Sequence, residues 1–197
     1  MRLNILIGGK AGQGINKVSK IVSSVLIRNG YYTFNYRDYP SIIRGGHNFN
    51  VLSISDKPIS SHESKLDGIV ALDENTRKVH GNELRKNGFV IDYKEFVNFG
   101  INLNIALSGA LIKILGVDKD VLINQVKKSL KSKSSFKDSV KAAEAGYNSH
   151  DEIYHLKKLN NKKKAELNLD YDKRVQLRLD KEVRKKFRKK LNSQLLI

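Results

Sequence analysis

The spacing of apolar residues in the first half of the chain alternates between the patterns typical of buried strands and of helices. Residues 3–7 form a short apolar run, and between residues 15 and 26 apolar side chains recur at the three- and four-residue spacing of one helical face. This order predicts a strand followed by a helix. Four further strands are predicted by apolar, aromatic or β-branched runs at residues 31–36, 49–54, 68–72 and 89–91.

The second half of the domain is predicted to be mostly helical. Apolar spacing favours helices at residues 103–115, 121–130 and 136–147, with Asp118 placed to cap the second of them. Asp73, directly after the fourth predicted strand, is placed in the same way to cap a short helix. We therefore expect a Rossmann-like α/β fold in which helices flank a mostly parallel sheet.

The chain changes character near residue 154. It has 197 residues and a formal net charge of +17; residues 155–197 hold 15 basic and 5 acidic side chains, against 22 and 15 in residues 1–154. All 14 glycines lie at or before Gly146. We predict a domain at residues 1–154 and a basic amphipathic helical tail at residues 155–197. The apolar residues of the tail recur at every fourth position: Val175, Leu179, Val183, Phe187, Leu191 and Leu195.

The charge of the tail and the composition of the whole chain limit the possible partners. A basic helix of this kind binds the phosphates of nucleic acid or an anionic membrane, or it packs its apolar stripe on its own domain or on a partner subunit. No stretch approaches a membrane span, and the N-terminal apolar run is too short for a signal peptide, so we predict a cytoplasmic protein. The lack of cysteine excludes disulfides, cysteine-ligated iron–sulfur clusters, thiolate zinc sites and a cysteine nucleophile within this chain.

A glycine-rich segment lies between the first predicted strand and the first predicted helix. Its backbone N–H groups and the helix dipole suit a phosphate or another anion. A dinucleotide fingerprint that starts at Gly12 would need glycine in place of Lys17, and a P-loop that starts at Gly9 would need Lys-Ser or Lys-Thr directly after Gly14. The segment fits neither motif, and both a ligand site and a simple tight turn stay open. Its sequence is Gly8-Gly9-Lys10-Ala11-Gly12-Gln13-Gly14.

A second polar loop, at residues 38–48, follows the next predicted strand. In a parallel sheet it emerges at the same carboxyl edge as the glycine-rich segment, so we expect the two loops to share one crevice. Arg44 carries a planar fork for a carboxylate or phosphate, with an ion pair to Asp38 as the alternative. We expect His47 to be a hydrogen-bonded loop residue rather than a general base, because the sequence assigns it no partner.

The two loops resemble the gamma subunit, or gamma domain, of 2-oxoacid:ferredoxin oxidoreductases. The second loop is the more specific, because its segments Tyr39-Pro40-Ser41 and Arg44-Gly45-Gly46-His47-Asn48 are similar to the form found where the gamma domain is fused ahead of the alpha chain. The resemblance covers about residues 1 to 150. It extends through residues 53–59, 67–72, 104–111 and 142–147.

The resemblance implies a place in an enzyme complex that converts a 2-oxoacid and coenzyme A to an acyl-CoA and carbon dioxide and reduces ferredoxin. In such a complex the thiamine diphosphate and the iron–sulfur clusters belong to the alpha, beta and ferredoxin-like delta parts. This chain is therefore expected to be a noncatalytic partner of those subunits that binds no cofactor alone, has no metal site and supports assembly.

The resemblance also suggests a contact with coenzyme A, which the anion-suited glycine loop and Arg44 motivate. The candidate binding residues are Gly9, Gly12, Gln13, Gly14, Ser41, Arg44, Gly45, Gly46, His47 and Asn48.

Two features depart from the pattern of this family. Only residues 93–101 stand where the family usually has a further strand and helix, so we expect the sheet to lack one strand and to leave an edge that needs a partner or a cover. The basic tail resembles neither the gamma domain nor the start of an alpha chain.

Two other functions fit the sequence less well. A nucleic-acid-binding module that uses the basic tail is the alternative, and a dinucleotide-dependent enzyme ranks last because the third glycine and an acid–base pair are missing. The remaining histidines are too scattered to predict a metal site and are expected to have surface or capping roles. They are His62, His80, His150 and His155.

Overall fold

The computed structural model describes residues 1–38, 46–129 and 136–159, which form five strands and five α-helices. Two 3₁₀ segments, Gly81–Glu83 and Tyr93–Asn102, flank the last strand. The strands are β1 (Arg2–Lys10), β2 (Tyr32–Asp38), β3 (His47–Ser55), β4 (Leu66–Ala71) and β5 (Leu84–Asp92). The helices are α1 (Ile15–Arg28), α2 (Glu74–His80), α3 (Leu103–Ile114), α4 (Lys119–Ser129) and α5 (Phe136–Asn148).

The predicted α/β class is confirmed, and each predicted strand and helix has a counterpart at its place in the chain. Asp73 caps α2 as expected, because its Oδ1 accepts the backbone N–H of Thr76 at 2.9 Å. β5 differs most from its prediction: it begins at Leu84, and its first half carries exposed polar residues that hide it from a search for apolar runs. The basic tail beyond residue 159 lies outside the described residues.

The sheet is mixed, with the strand order β2-β3-β1-β4-β5. β1 pairs in parallel with β4, and β4 pairs in parallel with β5. β3 is antiparallel to both of its neighbours, β1 and β2. This corrects the expectation of a mostly parallel sheet. β5 lies at one edge of the sheet, next to the shortened segment that predicts a missing strand and an edge in need of a partner or a cover.

The direction of β3 follows from the length of the connection before it. Only residues 39–46 separate β2 from β3, whereas a parallel crossover needs about a dozen residues or more. The two strands therefore pair as a hairpin, with Asp38 opposite Phe49. Because β3 is also antiparallel to β1, β2 runs in the same direction as β1. We call the edge at which β1, β2, β4 and β5 all end the carboxyl rim.

The two faces of the sheet are covered unequally. The larger apolar core joins one face to α1, α3, α4 and α5, through residues such as Ile5, Leu52 and Leu107. The other face has a smaller cluster that includes Leu6 and Ile69, and the short helix α2 packs there. The alternation of side chains along each strand assigns neighbouring residues to these two faces.

Two glycines allow α3 and α5 to pack closely. A Cβ at Gly146 would overlap the backbone carbonyl of Ala106 in α3, and a Cβ at Gly109 would overlap the carbonyl of Ala143 in α5. Side chains at these positions would force the two backbones apart. The small residues therefore define how closely the helix layer packs.

Contrary to the expectation that no stretch approaches a membrane span, one described segment, Tyr93–Ile114, is long and apolar enough by composition to cross a membrane, with a mean hydropathy of 1.3. Gly100 interrupts its helical backbone with φ 50°. The residues of α3 that follow are buried in the core, among them Ala106, Leu107 and Leu111. The segment is thus a 3₁₀ turn followed by a core helix.

The chain after α5 is held to the domain by backbone hydrogen bonds. The N–H groups of Tyr154 and Leu156 donate to the carbonyls of Ile114 and Leu115, and the N–H of Leu159 donates to Asn29. Leu156 is buried in the core. The first five residues of the predicted tail, 155–159, therefore pack on the domain.

Candidate functional site

The glycine-rich segment forms a tight turn at the carboxyl rim. β1 continues through Lys10, so Gly8 and Gly9 are strand residues rather than loop residues. A Cβ at Gly9 would lie 2.8 Å from the Cβ of Leu72, which shows that Gly9 serves close packing. The turn that follows contains Gly12 and Gly14, whose φ angles of 95° and 91° favour glycine.

Gln13 closes this turn. Its side-chain oxygen accepts the backbone N–H of Lys10 at 2.6 Å, and its own backbone N–H donates to the carbonyl of Lys10 at 3.1 Å. The carboxamide oxygen is thus already engaged within the turn. This geometry gives Gln13 a clear structural role among the candidate binding residues.

Two helix N-termini meet beside the turn. Gly14 precedes the first residue of α1, and a Cβ on Gly14 would overlap the side chain of Asn104 in the first turn of α3. Among the described residues, none accepts a hydrogen bond from the N–H groups of Gly12, Gly14 or Ile15. Gly12 is exposed, and no atom of a described residue lies within 4 Å of the position that its Cβ would take.

The charge around these amides also suits an anion. The N-terminal end of a helix carries a partial positive charge, which the two neighbouring helix ends supply together. The side chains of Lys10 and Lys17 are exposed next to the turn. The arrangement therefore has amide donors, open space and cations, which are the features that bind a phosphate group.

The second predicted loop returns to the same place. The backbone N–H of Ala11 donates to the carbonyl of Gly46 at 3.0 Å, and Lys10 stands opposite His47 in the register of β1 and β3. The expected meeting of the two loops at one edge is thus confirmed at Gly46 and His47. The candidate residues Ser41, Arg44 and Gly45 lie outside the described residues.

His47 and Asn48 are neighbours in sequence but lie on opposite faces of the sheet. They belong to β3, so their side chains alternate. Asn48 shares the face of Asn50, whose amide donates to Ser19 of α1 at 2.9 Å. Asn48 is 2% exposed, and its Oδ1 makes no hydrogen bond to a described residue. The structure therefore brings Asn48 under α1 and His47 to the side of α2.

His47 has a partner that the sequence did not indicate. Its Nε2 lies 3.0 Å from Nε2 of His80, and Nδ1 of His80 lies 2.9 Å from a carboxylate oxygen of Glu83. The rings of Phe49 and His80 pack edge to face, with 4.5 Å between ring centroids and an interplanar angle of 61°. Burial lowers the pKa of His47, the neighbouring His80 lowers it further, and Asp73 acts in the opposite direction.

His80 was expected to have a surface or capping role, and this prediction is wrong, because the residue is only 4% exposed and its side chain makes no capping hydrogen bond. The signal that locates it is its spacing of four residues from Thr76, the other buried side chain of α2. The neighbouring apolar residue, Val79, is instead 56% exposed. Within the described residues, no group of three or more His, Cys, Asp or Glu side chains is arranged to hold a metal ion.

Comparison with known proteins identifies relatives of this domain. The family model for pyruvate ferredoxin/flavodoxin oxidoreductase matches residues 4–102. A 2-oxoacid:ferredoxin oxidoreductase subunit alpha from Sulfolobus sp is 41% identical over 76 residues, which are 39% of this chain and 12% of the relative. The chain therefore corresponds to a small part of the length of such alpha subunits.

Solved structures share the fold. The gamma subunit of a keto/oxoacid ferredoxin oxidoreductase from Geobacter sulfurreducens PCA superposes with a TM-score of 0.65 at 21% identity, covering 75% of this chain and 95% of that one. A 2-oxoglutarate:ferredoxin oxidoreductase from Magnetococcus marinus superposes with a TM-score of 0.69 at 14% identity, covering 81% of this chain and 34% of that one. These findings give no support to the nucleic-acid alternative.

Proposed function

Since the chain belongs to the pyruvate ferredoxin/flavodoxin oxidoreductase family, we propose that it is the noncatalytic, gamma-type part of a 2-oxoacid:ferredoxin oxidoreductase. Two findings support this role. The fold is that of a gamma subunit over 95% of the length of the Geobacter chain. The relative at 41% identity carries the corresponding segment inside a much longer alpha chain.

The remaining parts of the enzyme then lie outside this sequence. The sequence has no cysteine to ligate an iron–sulfur cluster, and the described residues hold no metal-binding group. The partners are alpha, beta and ferredoxin-like subunits, and ferredoxin is the electron acceptor of the assembly. In that complex, thiamine diphosphate and iron–sulfur clusters supply the decarboxylation and electron-transfer chemistry.

The contribution of this chain is to bind the phosphate part of coenzyme A at the carboxyl rim. The Magnetococcus enzyme that shares the fold contains coenzyme A and succinyl-CoA. The residues present fit such a group: the N–H groups of Gly12, Gly14 and Ile15, which donate to no described residue, donate to phosphate oxygens, and Lys10 balances their charge. Binding here orients coenzyme A and leaves the acyl transfer to the partner subunits.

The observation that carries this proposal is the hydrogen bond from Ala11 to Gly46. It joins the glycine turn to the end of the loop that contains Arg44, so both loops belong to one rim. We assign Arg44 the role of an ion-pair donor to a phosphate, together with the backbone of Gly45 and Gly46 and the hydroxyl of Ser41.

The test is the affinity of the assembled enzyme for coenzyme A, measured by calorimetry. Arg44→Ala removes a charge-assisted hydrogen bond and is expected to weaken binding by about tenfold. Lys57→Ala is the control, because Lys57 is an exposed cation just beyond β3, at the opposite edge of the sheet. Equal affinity of both variants and the unmodified enzyme would refute the coenzyme A contact.

A further inference from the structure

The dipeptide Asn-Gly occurs twice in the sequence, and the structure places the two copies in opposite environments. The first is Asn29-Gly30, directly after α1, and the second is Asn87-Gly88, in β5. Asn29 is only 5% exposed, whereas Asn87 belongs to the exposed residues. The same pair of residues therefore meets solvent at one place and is buried at the other.

The exposed copy, Asn87-Gly88, lies where the pairing of β5 with β4 is interrupted. The two strands pair at Leu84 and again from Phe89 onwards, and residues 85–88 have no partner on β4. β5 is also an edge strand of the described sheet. The side chain of Asn87 makes no hydrogen bond to another described residue. This irregularity in the strand leaves Asn87 open to water.

The buried copy is held at both ends of the peptide group that joins its two residues. The N–H of Gly30 donates to the carbonyl of Ile27 at 3.0 Å, and the carbonyl of Asn29 accepts the N–H of Leu159 at 2.8 Å. Leu159 also packs on Gly30, where a Cβ would lie 2.7 Å from the Leu159 carbonyl oxygen. This peptide group cannot rotate towards the Asn29 side chain without breaking both hydrogen bonds.

An asparagine that precedes a glycine loses its side-chain amide to water when the backbone can rotate. The glycine nitrogen gives up its proton and attacks the side-chain carbonyl carbon of the asparagine, and no Cβ hinders its approach. A succinimide ring closes as the bond to the side-chain nitrogen breaks, and that nitrogen takes up a proton and leaves as ammonia. Water then opens the ring at one carbonyl to give aspartate, or at the other to give isoaspartate. The sum is amide plus water to carboxylic acid plus ammonia, with no oxidant or reductant.

The charge around Asn87 favours this reaction. Lys65 and Lys86 line the same open depression of the surface as Asn87. Arg85 lies there too, but its charge is balanced by ion pairs with two carboxylates. The attacking nitrogen is anionic once its proton has left, and nearby cations stabilise an anion. The two lysines therefore lower the cost of forming the nucleophile.

We propose that Asn87 is a site of spontaneous deamidation, whereas Asn29, in the same dipeptide, is protected by the fold. The reaction needs only water and is independent of coenzyme A. Its product replaces a neutral amide by a carboxylate beside Lys86, and the isoaspartate form also adds a methylene group to the backbone of β5. Both changes alter the edge of the sheet where a partner or a cover is expected.

The test is peptide mapping by mass spectrometry of the full chain after incubation in a mildly alkaline buffer, which favours loss of the backbone proton. We expect the peptide that contains Asn87 to convert with time to two acidic products, aspartate and isoaspartate. The peptide that contains Asn29 should keep its amide over the same period. An Asn87 that stays intact, or an Asn29 that converts as fast, would overturn the proposal.

The same incubation in urea separates the effect of the fold from that of the sequence. Unfolding removes the hydrogen bonds that hold the Asn29 peptide group, so both copies are expected to convert at similar rates. An Asn29 that stays unmodified in the unfolded chain would contradict its protection by the fold.

A substitution identifies the attacking atom. Gly88→Ala places a methyl group beside the reacting nitrogen and is expected to slow the conversion of Asn87 several-fold. Gly81→Ala is the matched control, because this glycine lies outside both dipeptides and within the described residues a Cβ there meets no atom. The control should convert at the rate of the unmodified chain. Equal rates in the two variants would count against attack by the Gly88 nitrogen.

Discussion

At Gly14 the backbone adopts a conformation that other residues avoid. Its φ of 91° lies in the left-handed region, and a Cβ would also overlap the side chain of Asn104. We expect Gly14→Ala to lower the free energy of unfolding by about 1–3 kcal/mol, since strain of the backbone and displacement of Asn104 add. Urea denaturation of the full chain measures this change.

A second glycine provides the control for this prediction. Gly81 has φ −58°, and within the described part of the chain no atom lies within 4 Å of the position of a Cβ there. Alanine fits this conformation, so Gly81→Ala is expected to leave stability unchanged or to raise it by up to about 1 kcal/mol. Equal losses in the two variants would show that the left-handed turn at Gly14 is not the cause.

At the level of single residues, sequence patterns predicted which glycines lie at the carboxyl rim, but not which side chains pair beside it. Gly12, Gly14 and Gly46 were predicted correctly as turn and loop positions at one edge, because glycine marks places where the backbone turns sharply. The pairing of His47 with His80 was missed. It depends on contact between β3 and α2, which are 33 residues apart at these positions and have no shared sequence signal.

At the level of elements, the close contact between α3 and α5 determines whether an added methyl group stabilises or destabilises the fold. In an ordinary helix interior, Gly→Ala stabilises by about 1 kcal/mol. At Gly146 the added methyl group overlaps the carbonyl of Ala106, so Gly146→Ala is expected to destabilise by about 1–3 kcal/mol instead. Thermal unfolding followed by circular dichroism reports the change.

The control in the same helix is Lys141→Ala, because Lys141 is exposed on α5 and alanine favours helix. This variant should unfold within about 0.5 kcal/mol of the unmodified chain. A stabilised Gly146→Ala variant would contradict the close approach of the two helices.

The elements themselves were largely predictable, whereas their directions were not. Buried strands and the Asp73 cap leave strong local signals in apolar spacing and in cap residues. The antiparallel direction of β3 had only one signal, the short connection at residues 39–46, which is too short for a crossover. The carboxyl rim was still predicted correctly. Because β3 is antiparallel to both β1 and β2, β2 runs in the same direction as β1.

At the level of the whole molecule, the chain has the fold of a gamma subunit. It contains no cysteine, the residue whose thiolate ligates iron–sulfur clusters. It matches an alpha subunit over only 12% of that subunit's length. The chain is therefore similar to a domain that these relatives carry within a longer chain.

The most direct test of this account is native mass spectrometry of the full chain, purified by a tag from the cells that produce it. We predict that it is recovered in a defined stoichiometry with larger chains that carry thiamine diphosphate and iron–sulfur clusters. Recovery of the chain alone, or with nucleic acid and no such subunits, would contradict its assignment as part of a 2-oxoacid oxidoreductase.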